Sequence, residues 1–128
     1  MPDRARVEAF IEEVVHGDHV KAIRDYYHPH ASMQENRGEP RRGRDLLMQT
    51  EAEALRRFRM RTHPAGAVLV DGDHVVIQWT FDMTDAKGVT RRLEELTLQR
   101  WEGDRIAEER FYYDPVATRQ PLDEPGGD

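Results

Sequence analysis

Three glutamates, one histidine and one aspartate are the side chains in this sequence best suited to moving a proton: Glu35, Glu95, Glu109, His63 and Asp114. The alternation of side chains along an extended chain groups Glu95 with Leu93, Thr97, Gln99 and Trp101. The same rule groups Glu109 with Phe111 and Tyr113, and Glu35 with Ala31 and Met33. If those faces turn inward, each carboxylate enters apolar surroundings. Burial disfavours the charged form, so its pKa rises toward the range useful for proton transfer. The competing fate is an ion pair with an arginine such as Arg61, Arg92 or Arg110. His63, beside Pro64, is the candidate neutral acid or base, and a structural role at a strand interruption is its alternative.

Trp79, Phe81 and Tyr113 read either as an aromatic wall against a flat or cyclic ligand or as plain core packing. Thr97, Gln99, Glu109 and Phe111 complete the inward set offered to a ligand. His28-Pro29-His30, with His16 and His19 nearby, raises the question of a metal. Pro29 breaks helical spacing and no acid completes an obvious site, so no metal is expected. The arginine-rich stretch from Arg37 to Arg44 reads either as a loop that meets an anionic group at the cavity mouth or, the preferred reading, as a solvated charge run.

These residues need elements to position them. Val7, Phe10, Ile11 and Val14 have the spacing of an amphipathic helix that Gly17 stops. Asp18 caps a second helix in which Val20, Ile23 and Tyr27 share a face, and Pro29 ends it. Ala31, Met33 and Glu35 alternate with Ser32, Gln34 and Asn36 in a short strand. A third helix is expected from about Asp45 to Phe58, with Leu47, Ala54, Leu55 and Phe58 on its inner stripe. Four consecutive strands follow between Arg61 and Asp114. The central one, Asp73 to Thr84, puts Val75, Ile77, Trp79, Phe81 and Met83 on one face. Asp71-Gly72 marks a tight hairpin, and Pro64 with Gly66 predicts a bulge or bend in the first strand. On the opposite parity, Leu96, Leu98 and Tyr112 form an outer apolar patch, which predicts a homodimer through the outer sheet face. The architecture is α+β, helices on one face of a curved, mostly antiparallel sheet.

At 128 residues the chain reads as one domain over 1–116, with a flexible tail over 117–128 signalled by Pro121, Pro125, Gly126 and Gly127. There is no cysteine, which excludes disulfides and thiolate chemistry. A net charge of −6 opposes a nucleic-acid role. No apolar run approaches the roughly 18 residues that span a membrane. No signal-like apolar segment follows Met1, so cytoplasmic residence is expected.

The element order, with Gly17-Asp18 between the first helices, Gly43-Arg44 opening the third and Gly103-Asp104-Arg105-Ile106 before the last strand, resembles the SnoaL-like families. These belong to the nuclear transport factor two-like superfamily, and the resemblance covers about residues 5 to 116. It implies a cone-shaped α+β fold whose helices leave an apolar pocket over the concave sheet face. Members include polyketide cyclases, ketosteroid isomerase, limonene epoxide hydrolase, dehydratases and non-catalytic binders. Against ketosteroid isomerase, Glu35 is similar in place to the base, while the two oxyanion donors are replaced by Phe10 and Thr97. The last-strand acid of limonene epoxide hydrolase is similar in place to Phe111. Asp114 is similar in position to the general acid/base of SnoaL-type cyclases, with a strand-end cap as its other reading. The resemblance implies a small hydrophobic ligand and cofactor-independent acid–base chemistry of isomerase, cyclase or dehydratase type, with Glu35, Glu95, Asp114 and His63 as candidate catalytic groups. The alternative is a non-catalytic, dimeric ligand-binding module.

Overall fold

Asp3 opens the first helix by accepting from the backbone N–H of Arg6, and in the computed structural model, which describes residues 1–122, that helix is α1, Arg4–His16. Asp18 repeats the device for α2, His19–Tyr26, accepting from Val20 and Lys21. The chain then turns directly into β1, Tyr27–Glu35. Tyr27 is thus the first residue of the strand rather than part of the helical stripe. Asn36 turns the chain with φ +50, a short strand β2 (Arg41–Arg42) returns beside β1, and α3 covers Arg44–Arg57.

The remaining strands are β3 (Arg59–Thr62), β4 (Val68–Asp71), β5 (His74–Thr84), β6 (Thr90–Glu102) and β7 (Arg105–Tyr112). Their order in the sheet is β2-β1-β7-β6-β5-β3, with β4 also paired to β5. Among the described residues all strand pairings are antiparallel except that of β1 with β7. The first expected strand is two strands, because Pro64 has no N–H to offer the ladder. Pairing with β5 resumes after it, where Gly66 N–H donates to the Gln78 carbonyl at 2.9 Å. Gly72, at φ +61, makes the tight β4–β5 turn that a side chain would strain.

Burial runs in a gradient along the inner face. Val75, Ile77, Trp101 and Ile106 are fully enclosed, while Phe81, Met83 and Leu93 at the other end are only partly covered. Phe10 of α1 closes the sealed end, its ring edge-on to Trp101 at 6.2 Å. Each such side chain contributes roughly 1.5–3 kcal/mol by leaving water. The helices therefore seal one end of the sheet and stand off from the other. On the outer face Leu96, Leu98 and Tyr112 are exposed.

Residues read as a tail behave otherwise as far as Leu122. Asp114 caps a fourth helix, α4 (Pro115–Arg119), and Leu122 N–H donates to the Thr90 carbonyl at 2.9 Å. The rest of the expected tail lies outside the described residues. No helix among the described residues is long and apolar enough to cross a membrane.

Candidate functional site

At the partly covered end of the sheet lies a cavity of about 190 Å³. Its walls are aromatic and aliphatic, among them Trp79, Phe81, Phe111, Tyr113 and Phe10. Four carboxylates reach it, Glu35, Glu51, Glu95 and Glu109, against one arginine, Arg41. That imbalance is the main chemical property of the site.

Glu95 stands opposite Trp79 in the β5–β6 ladder and is buried. Among the described residues it has no arginine or lysine within ion-pair distance. Burial, and then the nearby charges of Glu109, Glu35 and Glu51, push its pKa up to about 8. Glu109 is deeper still. Burial pushes it up to about 7, held back by hydrogen bonds from Gln99 and Tyr27. Gln99 Nε2 donates to Glu109 at 2.7 Å, and its amide oxygen accepts from Trp101 Nε1 at 2.9 Å. The Tyr27 hydroxyl completes the chain by donating to the other Glu109 oxygen. Burial, and then the neighbouring Glu109 charge, hold the Tyr27 hydroxyl well above its ordinary pKa, so it stays a donor.

Glu35 is a different kind of acid. Arg41 Nη1 donates to one of its oxygens at 2.9 Å and the Tyr113 hydroxyl to the other at 2.6 Å. Burial and that hydrogen bond push Tyr113 up to about 12. Across the cavity, α2 and α3 supply a second pair, His19 Nδ1 to Glu51 at 3.1 Å. The far nitrogen of His19 meets the Thr62 hydroxyl at 3.0 Å. A carboxylate only accepts, so the proton on Nδ1 faces Glu51.

The structure brings Glu35, Glu95, Glu109, Trp79, Phe81, Phe111 and Tyr113 together around the cavity. It places four other candidates elsewhere. His63 points to the outer face, because its N–H bonds Thr80 and alternation sets it opposite Thr62. There His63 Nε2 meets Asp82 at 2.8 Å, and Arg92 grips the same carboxylate with two donors. Asp114 is a helix cap, accepting from Val116 at 2.9 Å, and is exposed. Thr97 and Gln99 are fully buried behind the wall and do not line the cavity. Gln99 instead braces Glu109, while Thr97 Oγ1 has no hydrogen-bond partner among the described residues.

Three site residues were not singled out for the cavity by the sequence, Tyr27, Glu51 and His19 as a partner of Glu51, and Arg41, preferred as part of a solvated run, instead lines the cavity and pairs with Glu35. Glu51 carried a readable signal, since it falls between Leu47 and Ala54 on the inner stripe of α3. Tyr27 did too: a tyrosine is at the place where the chain enters the sheet. The metal question also changes. Glu102, distant in sequence, stands beside His28 and His30, with all three ligand groups within 4.8 Å of one another.

The family model of the SnoaL-like domain matches residues 7–109. The chain belongs to the SnoaL-like family. Solved structures share its fold. A Mesorhizobium loti protein named for SnoaL-like polyketide cyclases is 24% identical, with a TM-score of 0.74 over 88% of this chain and 100% of its own. A Pseudomonas putida protein named for polyketide cyclases is 19% identical, with a TM-score of 0.79 over 95% and 99%. An epoxide hydrolase of Mycobacterium tuberculosis is 14% identical, with a TM-score of 0.74 over 89% of this chain and 84% of its own. No curated protein matches the sequence. Within the SnoaL-like frame, relatives at this identity share the cone and the helices over it, and the acids of the cavity must be read on their own geometry.

Proposed function

We propose that this SnoaL-like chain binds a small hydrophobic molecule carrying a carbonyl group and moves a proton on it, without a cofactor. The observation that carries this reading is Glu95, an acid in an aromatic-walled cavity with no cationic partner among the described residues and a pKa raised to about 8. At neutral pH it holds its proton and acts as a donor. Two acids whose surroundings set them apart divide the labour of acid–base catalysis. Glu35, paired with Arg41, takes a proton from the carbon next to the carbonyl, and the C–H electron pair moves to form the enol. Glu95 donates its proton to the carbonyl oxygen as charge develops there. Where a C=C adjoins that carbon, the enol is a dienol; return of the proton from Glu35 to its far carbon, with Glu95 regaining its own from the enol hydroxyl as the carbonyl re-forms, gives the conjugated isomer and restores both acids.

The test needs no substrate. Glutamate side chains labelled with ¹³C report the titration of Glu95 directly, and 2-naphthol serves as a neutral enol mimic. Glu95 should titrate near 8, and its resonance and that of Trp79 should move on naphthol binding. An ordinary carboxylate titration for Glu95, or no naphthol binding at all, overturns the proposal. With a substrate in hand, Glu95→Gln and Glu35→Gln should each lower turnover about a hundredfold or more. Normal turnover by the Glu35 variant would remove it as the base. One observation favours binding without chemistry: Arg41 and Tyr113 already satisfy Glu35.

Two copies pairing through the outer sheet face is part of the same proposal, supported by the exposure of Leu96, Leu98 and Tyr112. Sedimentation should give a dimer for the natural chain and a monomer for the Leu96→Glu/Leu98→Glu variant. A natural chain monomeric at micromolar concentration ends that part.

A further inference from the structure

We propose that His28, His30 and Glu102 form a binding site for a divalent transition metal of the zinc class, outside the cavity and independent of its chemistry. His28 and His30 are two residues apart on β1, the spacing that returns side chains to one face of a strand. Their rings stack with centroids 5.0 Å apart and planes 17° from parallel. Glu102, the last residue of β6, divides its two oxygens. Oε2 accepts from Arg100 Nη1 at 3.0 Å. Oε1 faces the imidazoles, 3.6 Å from His28 Nε2 and 3.8 Å from His30 Nε2.

Those separations match what a metal needs. Zinc holds imidazole nitrogen and carboxylate oxygen at about 2.0–2.2 Å, so neighbouring ligand atoms in a tetrahedron lie about 3.4 Å apart. Two of the three edges are within a few tenths of an ångström of that value, and all three ligand groups lie inside 4.8 Å. Small side-chain rotations close the set. Two imidazoles and one carboxylate form a donor set that zinc accepts, leaving a fourth position for water. The metal would replace the contact of His28 Nε2 with the Glu102 carbonyl, now 3.1 Å. Arg100 is the cation that opposes binding, but Glu108 also engages it at 3.2 Å, so two carboxylates face one guanidinium.

The site would do structural work where the β1–β7 pairing is irregular. Tyr27 pairs with Ile106 of β7, and regular pairing resumes only at Ser32 with Glu108. His28 and His30 occupy that irregular stretch. A metal shared with Glu102 would tie the start of β1 to the β6–β7 hairpin, and a ligand that binds only the folded state raises its stability.

The experiment uses the tag-free full chain with zinc chloride as the probe, and cobalt(II) as a spectroscopic substitute. Calorimetry should show one ion bound per chain with micromolar affinity, a rise in melting temperature, and visible cobalt bands of a low-coordinate site. His30→Asn and Glu102→Gln should each weaken zinc binding at least about tenfold. His30 is exposed, so its variant should melt as the natural chain does without metal. His16→Asn, on α1, should bind zinc unchanged. Undiminished affinity in His30→Asn, equal loss in His16→Asn, or no binding below millimolar zinc overturns the site. Naphthol binding to the cavity should be the same with and without zinc, which separates this site from the proposed function.

Discussion

Glu95 and Asp82 are a few residues apart across the same two strands, yet their surroundings drive them in opposite directions. On the inner face, Glu95 is pushed up to about 8 by burial and by other carboxylates. On the outer face, Asp82 is held down at about 2, chiefly by hydrogen bonds from Arg92 and then from His63. Both acids are buried. The difference is the supply of partners. The outer acid has an arginine and an imidazole shaped around it, whereas the inner pair, Glu95 and Glu109, shares one glutamine and one tyrosine, both spent on Glu109. An acid that has its donors is part of the fold. One buried without them costs stability, and that cost is what supports the role proposed for Glu95 toward a ligand.

The largest effect should come from removing the unpartnered charge. Glu95 holds its proton more tightly folded than unfolded, so its contribution is full below about pH 4.5 and is lost as pH rises through about 8. Glu109 acts in the same sense up to about 7. Stability should therefore fall across this window. Glu95→Gln does not titrate, so the variant should be more stable than the natural chain above pH 8, by about 2–4 kcal/mol. Near pH 4.5 the two should nearly coincide. Urea midpoints at pH 5, 7 and 9 measure this, and coincident midpoints at pH 9 would break the comparison.

The partnered acid should respond with the opposite sign. Asp82 has a lowered folded pKa, so its contribution is present above about 3.8 and disappears as pH falls through about 2. Asp82→Asn should destabilise the chain by about 2 kcal/mol at pH 7 and hardly at all at pH 2. Naphthol affinity should not move, because neither Asp82 nor His63 lines the cavity. A weaker naphthol complex in this variant would mean that the outer cluster shapes the inner site.

The sequence made the fold readable because its signals are local. Trp79 and its neighbours alternate cleanly, the helix stripes are regular, and the Gly72 turn has few alternatives. The inward face of Glu35, Glu95 and Glu109 was readable for the same reason. What periodicity could not give was depth and partnership. Thr97 and Gln99 share the parity of Glu95 but are fully buried and do not line the cavity. His63 lies past the start of the strand interruption, where only the ladder bond to Thr80 decides its face. Tyr27 and Glu109 are 82 residues apart, and His28 and Glu102 are 74 apart. Pairs at such separations arise from the β1–β7 and β6–β7 pairing, which no local spacing encodes.

The smallest effect should come from Asp114, an acid with backbone donors only. Its Oδ1 accepts from Val116 N at 2.9 Å and from Ala117 N at 3.4 Å, closing the first turn of α4. Losing such a cap costs about 0.5–2 kcal/mol in a long helix. Here the helix has five residues, none buried, and the segment is also tied to β6 by Arg91 Nε on the Arg119 carbonyl at 2.9 Å. Most of the loss should appear as local fraying rather than as a change in global unfolding. Asp114→Ala should speed amide exchange at residues 116–119 and leave the urea midpoint within about 0.5 kcal/mol. Because Asp114 does not line the cavity, naphthol affinity and the titration of Glu95 should be unchanged. If either shifts, Asp114 reaches the site through a motion of α4. The division between acids that hold the fold and acids that face the ligand would then have to be redrawn around it.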